Sequence, residues 1–142
     1  MPRVVLDVNV WVSALLWGGK PAEIIKLAED GKVLIIVSEE IVGEISQVLN
    51  YPKLRKVYQA AGLRHKNMIE ALLKVVKFVK VKVANRVSVV VEHPADDKFI
   101  ECALASGADY IVSGDKHLLK IGVYKKTRIL SVSEFLGIME AK

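Results

Sequence analysis

Cysteine is almost absent from this chain, because Cys102 stands alone among its 142 residues. A single thiol cannot form an internal disulfide, and its apolar neighbours suit a small buried side chain. We therefore expect a reduced protein in the cytoplasm. Long hydrophobic runs are missing as well, and the first residues lack the apolar core of a secretory signal. We expect no contact with a membrane and interpret the start of the chain as a strand.

Histidine is scarce too, and the three histidines, His65, His93 and His117, lack the spacing of a metal-binding pair. A site for hard cations does not favour imidazole, so we interpret all three as surface or loop residues. A phosphate-binding loop is also absent. Residues 18–20, Gly-Gly-Lys, have neither the upstream glycine nor the following Ser or Thr of that motif, which excludes nucleotide binding there.

Apolar residues make up 52% of the chain and charged residues 26%, which indicates a packed core and excludes a disordered tail. The length predicts one domain over residues 1–142. The 21 Lys and Arg residues outnumber the 16 Asp and Glu residues, and the formal charge of +5 favours a polyanionic partner. Much of this excess lies between residues 53 and 86, which form either a track for an RNA backbone or a solvated face.

Short runs rich in Val and Ile alternate with helical patterns along the chain. Such alternation predicts an α/β fold with a mostly parallel central sheet covered by helices on both faces. In the middle we expect helices over 54–61 and 65–77, then a strand with one exposed face over 78–83, extended by 87–91. The other predicted strands are residues 4–6, 33–37, 110–112 and 128–131.

Acidic residues follow two of these strands. Asp7 comes directly after the first strand, and Asp115 follows the strand at 110–112 after two intervening residues. Ligands bind beyond the carboxyl ends of parallel strands in an open sheet. We therefore expect these two carboxylates to lie at one edge of the sheet.

Two acids on helices are candidates for the same edge. Asp97 lies in the first turn of a helix that opens at residues 94–97, where either Asp96 or Asp97 also serves as the cap. Glu44 lies in the second turn of the helix after Ser38, beside its buried stripe. Taken singly, each acid also fits an ordinary role as a turn former, a cap or a solvated residue. The set as a whole indicates a shared site.

A cluster of carboxylates suits phosphodiester hydrolysis. Hard oxygen ligands hold Mg²⁺ or Mn²⁺, which polarises the phosphate and activates the attacking water. Without a cation, the same acids would repel one another. We therefore expect Mg²⁺ or Mn²⁺ as the cofactor. Lys116, next to Asp115, is placed to meet a phosphate.

Four segments give the sequence a family resemblance. They are Val-Leu-Asp7-Val-Asn9-Val-Trp-Val-Ser13, Ile-Val-Gly-Glu44-Ile, Asp97-Lys-Phe-Ile-Glu-Cys-Ala and Ala-Asp-Tyr-Ile-Val-Ser-Gly-Asp115-Lys-His-Leu-Leu. The chain resembles the PIN-domain nucleases, which include the toxin ribonucleases of VapBC-type toxin–antitoxin pairs. The resemblance implies a three-layer α/β/α fold and a Mg²⁺- or Mn²⁺-dependent endonuclease that acts on single-stranded RNA.

The resemblance also implies partners and particular site residues. A homodimer or a higher homo-oligomer is expected, and an antitoxin protein is the expected partner if the chain is a toxin. Trp17 is an expected self-association surface, because a Trp near a helix end is hard to bury fully. The implied acidic quartet is Asp7, Glu44, Asp97 and Asp115, with Asn9 and Ser113 as supporting residues.

Two other functions fit part of this pattern. A noncatalytic PIN module would bind RNA or protein, although such modules lose acids that are all present here. A phosphatase with an aspartyl nucleophile also places an Asp after its first strand. Such a phosphatase requires a second Asp two residues after the nucleophile, and this chain has Asn9 at that position.

Overall fold

The computed structural model describes residues 1–141, and within them the chain is an α/β fold built around one mostly parallel sheet. The Val- and Ile-rich segments form strands because β-branched side chains fit a pleated, buried surface. The strands of this part of the chain are β1 (Arg3–Leu6), β2 (Leu34–Val37), β3 (Val76–Phe78), β4 (Tyr110–Val112), β5 (Val123–Tyr124) and β6 (Thr127–Leu130).

The α-helices begin where the sequence provides caps. The Ser38 hydroxyl accepts the backbone N–H of Ile41 at 3.3 Å, and Ser131 and Glu134 form a reciprocal capping box. The helices of residues 1–141 are α1 (Val8–Leu16), α2 (Gly19–Glu29), α3 (Glu39–Leu49), α4 (Pro52–Ala60), α5 (His65–Leu73), α6 (Asp97–Ser106), α7 (Lys116–Leu119) and α8 (Val132–Glu140). Among them, none has the length and apolar character needed to cross a membrane.

The strand order β3-β2-β1-β4-β6-β5 places β1 and β4 side by side in the middle of the sheet. Neighbouring strands are parallel, except that β5 pairs antiparallel with β6. The chain moves from β1 to β2 and β3 on one side, then returns to β4 and β6 on the other. Because crossovers between parallel strands are right-handed, this reversal puts helices on both faces. The predicted three-layer α/β/α fold is confirmed, and the strand order reverses between β1 and β4, the position at which an open sheet of this kind forms a ligand-binding crevice beyond the carboxyl ends of its strands.

The core is centred on β1, β2 and β4. Val4, Val5 and Leu6 are fully buried, as are Ile35 and Ile111 on the neighbouring strands. Burying an aliphatic side chain of this size stabilises a fold by about 1.5–3 kcal/mol. The strands that end at the crevice are therefore firmly packed.

The middle of the chain differs from its sequence-based prediction. The helix expected over 65–77 ends at Leu73, and a strand occupies Val76–Phe78 where the prediction put it at 78–83. β3 lies at the edge of the sheet with β2 as its neighbour, so Lys77 and Phe78 stay exposed. Residues 79–93, called the 79–93 segment below, contain a short 3₁₀ turn at Val83–Asn85 and form no strand, although the backbone N–H of Val79 donates to the Val37 carbonyl of β2 at 2.9 Å. The extension expected over 87–91 is therefore wrong.

Candidate active site

Asp7 is held at the carboxyl end of β1 by three hydrogen bonds. Its Oδ1 caps α1 by accepting the backbone N–H of Val10 at 2.8 Å. Its Oδ2 accepts the hydroxyl of Ser113 and, at 3.3 Å, the backbone N–H of Gly114. The residue is 4% exposed, and this burial raises the pKa of Asp7 although the three hydrogen bonds lower it. The ionised carboxylate would therefore be stabilised by a cation.

Ser113 joins Asp7 to the end of the neighbouring strand. The residue follows β4, is fully buried, and donates its hydroxyl to Asp7. The same oxygen accepts the backbone N–H of Asp115 at 2.9 Å. Asp115 in turn caps α7 by accepting the backbone N–H of His117 at 2.7 Å. Two adjacent parallel strands thus bring Asp7 and Asp115 into one network, as their positions after the strands led us to expect.

Asp96, in the last position before α6, lies beside Asp115. Burial raises the pKa of Asp96; the hydrogen bond with His93 lowers it, and the carboxylate of Asp115 raises it. Burial also acts to raise the pKa of Asp115, but hydrogen bonds from the His117 backbone and from Asp96 hold it below its ordinary value. Two carboxylates this close favour sharing a proton or a cation. We call Asp7, Asp96 and Asp115 the acidic cluster.

Asp97, the acid that the family resemblance assigns to the site, faces a different part of the molecule. Its Oδ1 accepts the backbone N–H groups of Val89 and Val90 at 3.0 and 2.8 Å. It thereby ties the 79–93 segment to the start of α6. Successive residues of a helix point about 100° apart, so two adjacent acids face different ways. The structure places Asp96 beside Asp115, and the Oδ1 of Asp97 against the backbone of the 79–93 segment.

Glu44, in α3, forms a salt bridge with Lys98 in the first turn of α6. The two side chains are 35% and 16% exposed, so the pair lies at the rim between the two helices. The structure therefore brings Glu44 to the helix that begins next to Asp96. Its carboxylate differs from those of the acidic cluster because a lysine already balances its charge.

The predicted supporting residues other than Ser113 lie around this cluster. Asn9 is exposed in the first turn of α1 and lines a shallow groove with Ser113 and Ser131. Lys116 is the first residue of α7 and is exposed. Both side chains are open to a ligand that enters the crevice.

Two histidines that we interpreted as lone surface or loop residues lie at the acidic cluster. Nδ1 of His93 is 3.0 Å from Oδ2 of Asp96, and its ring stacks on that of His117 with centroids 5.5 Å apart. One donor atom from each of His93, Asp96 and Asp115 lies within 4.8 Å of the others. Spacing between histidines could not find this group, because only one of its three donors is a histidine and Asp115 comes from a separate loop. The available signal was that each histidine closely flanks an acid in the sequence.

The donor set fits a divalent metal ion. Asp96 and Asp115 offer carboxylate oxygens, the ligands that Mg²⁺ and Mn²⁺ prefer, and His93 adds a nitrogen. Burial raises the pKa of both Asp7 and Asp96, so an added positive charge would stabilise their ionised forms. Asp7 accepts three hydrogen bonds on about four lone-pair sites, which leaves one for a metal ion.

A profile of the PIN domain matches residues 3–117, which is most of the chain. The chain belongs to the PIN domain family. The match runs from β1 into α7 and includes every residue of the acidic cluster. Among curated protein sequences, none matches this PIN domain.

Solved structures share the fold of this PIN domain at low sequence identity. PAE2754 from Pyrobaculum aerophilum is 19% identical, with a TM-score of 0.64 over 99% of this chain and 91% of that one. VapBC2 from Rickettsia felis, solved with a DNA fragment of its promoter, is 13% identical, with a TM-score of 0.62 over 89% and 96% of the two chains. Mycobacterium tuberculosis VapC20, a toxin that cleaves the sarcin-ricin loop, is 16% identical, with a TM-score of 0.57 over 88% and 98%.

Proposed function

We propose that this PIN domain is a metal-dependent endoribonuclease that cuts single-stranded RNA. The observation that carries the proposal is that Asp7 and Asp115 share one hydrogen-bond network at the carboxyl ends of β1 and β4, with Asp96 beside Asp115. Ligands bind at that edge of an open parallel sheet. Membership of the PIN domain family supports nuclease chemistry at the same place. The formal charge of +5 supports a polyanionic substrate.

Asp96 and Asp115 would hold a Mg²⁺ or Mn²⁺ ion, with Asp7 as a further ligand. When bound, such an ion neutralises phosphate charge and lowers the pKa of a water molecule. The Ser113 hydroxyl touches both the Asp7 carboxylate and the Asp115 backbone, so it keeps the two acids at a constant separation. Fixing charged groups in advance is the main way a protein lowers the barrier to such a reaction.

Residues around the cluster would bind the RNA backbone. Lys116 is exposed next to Asp115 and can donate to a phosphate oxygen. Glu44 stays in the proposed site as a rim acid, and its partner Lys98 places a second ammonium group at the start of α6. Asn9 adds an amide that can bind the sugar or phosphate in the groove beside Ser113.

We further propose that the protein is the toxin of a type II toxin–antitoxin pair, acting in the cytoplasm as a homodimer. The shared fold of VapBC2 and VapC20 supports this role and an antitoxin as partner. Trp17, which is 63% exposed after α1, supports a protein interface there. Expression in bacteria without an antitoxin should arrest growth, and Asp115→Asn should relieve the arrest. Equal arrest by both forms would contradict the toxin role.

Cleavage of a single-stranded RNA by the purified chain tests the nuclease proposal. We expect cleavage with added Mn²⁺ or Mg²⁺, none after EDTA, and a rate lowered by about 100-fold or more in Asp115→Asn. Asp30→Asn is the matched control, because Asp30 is a surface acid that pairs with Lys26 away from the site. Double-stranded RNA and single-stranded DNA test the substrate class. Cleavage that persists in EDTA or in a folded Asp115→Asn variant would contradict the proposal.

The rival function of an aspartyl phosphatase has less support. Its nucleophile must be free to attack, whereas three hydrogen bonds hold the oxygens of Asp7. Asn9 also stands where that chemistry wants a second Asp. Hydrolysis of a small phosphomonoester without any RNA cleavage would reverse this preference.

A further inference from the structure

The imidazole of His93 lies close to two carboxylates of the acidic cluster, those of Asp96 and Asp115. Its Nδ1 is 3.0 Å from Oδ2 of Asp96, and an oxygen of Asp115 completes three donor atoms within 4.8 Å of one another. Ligands about 2.1 Å from an octahedral ion are about 3.0 Å apart when adjacent and about 4.2 Å apart when opposite. The 3.0 Å between Nδ1 of His93 and Oδ2 of Asp96 is therefore that of two adjacent ligands, and the Asp115 oxygen lies close enough to join the same ion after a small movement of its side chain.

The surrounding chain holds His93 in this position. Its backbone N–H donates to the Val90 carbonyl at 3.0 Å, and its carbonyl accepts the backbone N–H of Asp96 at 2.9 Å. The ring stacks on that of His117, with an angle of 14° between the two planes. A side chain held at both its backbone and its ring loses little conformational freedom when it binds a metal ion.

An ion pair between His93 and Asp96 is the simpler interpretation, but it does not balance the charge of Asp115, which caps α7 with one oxygen. Asp115 would then remain as a second carboxylate beside Asp96. Asp96 also makes no capping hydrogen bond with its side chain, although it occupies the cap position of α6. Two carboxylates and an imidazole this close together are a donor set for a transition-metal ion.

We propose that His93 is a direct ligand of the metal ion held by Asp96 and Asp115, and that its nitrogen makes this PIN domain prefer Mn²⁺ to Mg²⁺. The proposal rests on the proposed function, because it concerns the same site. Imidazole suits first-row transition ions, whereas Mg²⁺ prefers oxygen ligands in a strict octahedron and gives up its waters reluctantly. Nδ1 binds the ion through its lone pair, so the ring proton lies on Nε2.

Pulsed electron paramagnetic resonance of Mn²⁺ bound to the full chain, without RNA, tests this ligation. Wild-type protein should show hyperfine coupling between Mn²⁺ and a directly bound nitrogen. His93→Asp should bind Mn²⁺ through oxygen and lose that coupling, and His93→Gln should lose it with a neutral side chain. His65→Ala should keep it, because His65 bonds to Ser46 between α3 and α5. Circular dichroism checks that each variant is folded.

Competition between the two ions gives a second readout. A large excess of Mg²⁺ should be needed to displace Mn²⁺ from the wild-type protein. His93→Asp should lower the preference for Mn²⁺ by about tenfold or more, since even the hydrogen-bond partners of metal ligands change affinity by about 10–100-fold. The same titration of His65→Ala should match the wild type.

Any of three results would overturn the proposal. They are failure of the wild-type protein to bind Mn²⁺, binding of Mn²⁺ without nitrogen hyperfine coupling, and the same preference between Mn²⁺ and Mg²⁺ as folded His93→Asp. Because no RNA is present in these experiments, such a result leaves RNA cleavage to be decided by its own assay. Conversely, nitrogen-coupled Mn²⁺ in a protein that cuts no RNA would retain His93 as a ligand and reject the proposed function.

Discussion

Asp96 and Asp97 are adjacent acids, each 9% exposed, with different partners. Asp96 faces His93 and Asp115, whereas Asp97 accepts two backbone N–H groups of the 79–93 segment. The sequence could predict that an acid pair opens α6, because acids stabilise a helix start. It could not predict which acid lies beside Asp115, since that depends on where the 3₁₀ turn of residues 94–96 gives way to the helix.

Replacing Asp97 by Ala should destabilise the protein while leaving metal binding intact. The change removes the acceptor of the Val89 and Val90 N–H groups, and each donor left unpaired costs about 1–3 kcal/mol. Urea denaturation should therefore show a free energy of unfolding lower by about 2 kcal/mol or more. Asp97→Asn keeps an acceptor and should recover part of the loss. Mn²⁺ affinity that disappears in folded Asp97→Ala would contradict this division of roles.

Cys102 should be unreactive in the native protein. The residue is fully buried, and burial raises the pKa of its thiol to about 12, although a hydrogen bond from Ser38 lowers it in part. At pH 8 only about one thiol in ten thousand would be the reactive thiolate. A disulfide reagent should therefore label native Cys102 far more slowly than Cys102 of the chain unfolded in urea. Equal labelling rates would show that the thiol is accessible.

At the scale of secondary-structure elements, the strands and helices with a strong local sequence pattern lie where the sequence predicts them. The strand at 110–112 coincides with β4, because a strand buried on both faces is an unbroken apolar run. The edge strands were harder to predict from the sequence. β3 lies earlier in the chain than predicted, and the two-residue strand β5 was not predicted. An edge strand buries less of its surface, so its position depends on the neighbouring strand more than on its own residues.

Arg86 fastens the 79–93 segment to two helices. Its guanidinium bonds to Glu40 in α3 at 2.6 Å and to Glu101 in α6 at 2.9 Å, and these carboxylates raise the pKa of Arg86. Glu101 is buried, so Arg86→Ala would leave its carboxylate without its cation. We expect limited proteolysis within the 79–93 segment to become faster. Lys82→Ala, at an exposed position of the same segment, is the control and should change the rate little.

An unchanged rate of proteolysis in Arg86→Ala would mean that other contacts hold the segment. The hydrogen bonds of Asp97 are the contacts to examine next, because they reach the same segment from α6. The double variant with Asp97→Ala would then show whether the two attachments act together.

At the scale of the whole molecule, one sheet and one hydrophobic core join the described strands and helices. This continuity supports our proposal that residues 1–142 act as one domain. The acidic cluster lies within that domain rather than on a mobile appendage. Metal binding at the cluster should therefore change the stability of the entire fold.

The extent to which bound Mn²⁺ stabilises the fold should depend on pH. Burial raises the pKa of Asp7 and Asp96, so their contribution to stability is full below about pH 3.8 and is lost as the pH rises through their higher folded-state pKa. Asp115, with its lowered pKa, acts in the opposite direction. A bound cation can neutralise the carboxylates of Asp7 and Asp96 after they have lost their protons. Mn²⁺ should therefore raise the melting temperature more at pH 7 than at pH 4, and EDTA should reverse the rise. A rise that is the same at both pH values would contradict this coupling.

The most direct test of the central claim compares RNA cleavage by two neighbouring variants, Asp96→Asn and Asp97→Asn. Both substitutions keep the shape of the side chain, and both positions are equally buried. With Mn²⁺ and a single-stranded RNA, we expect Asp97→Asn to cleave at nearly the wild-type rate and Asp96→Asn to be slower by about 100-fold or more. Equal rates for the two folded variants, or loss of cleavage in Asp97→Asn alone, would contradict a metal site built on Asp7, Asp96 and Asp115.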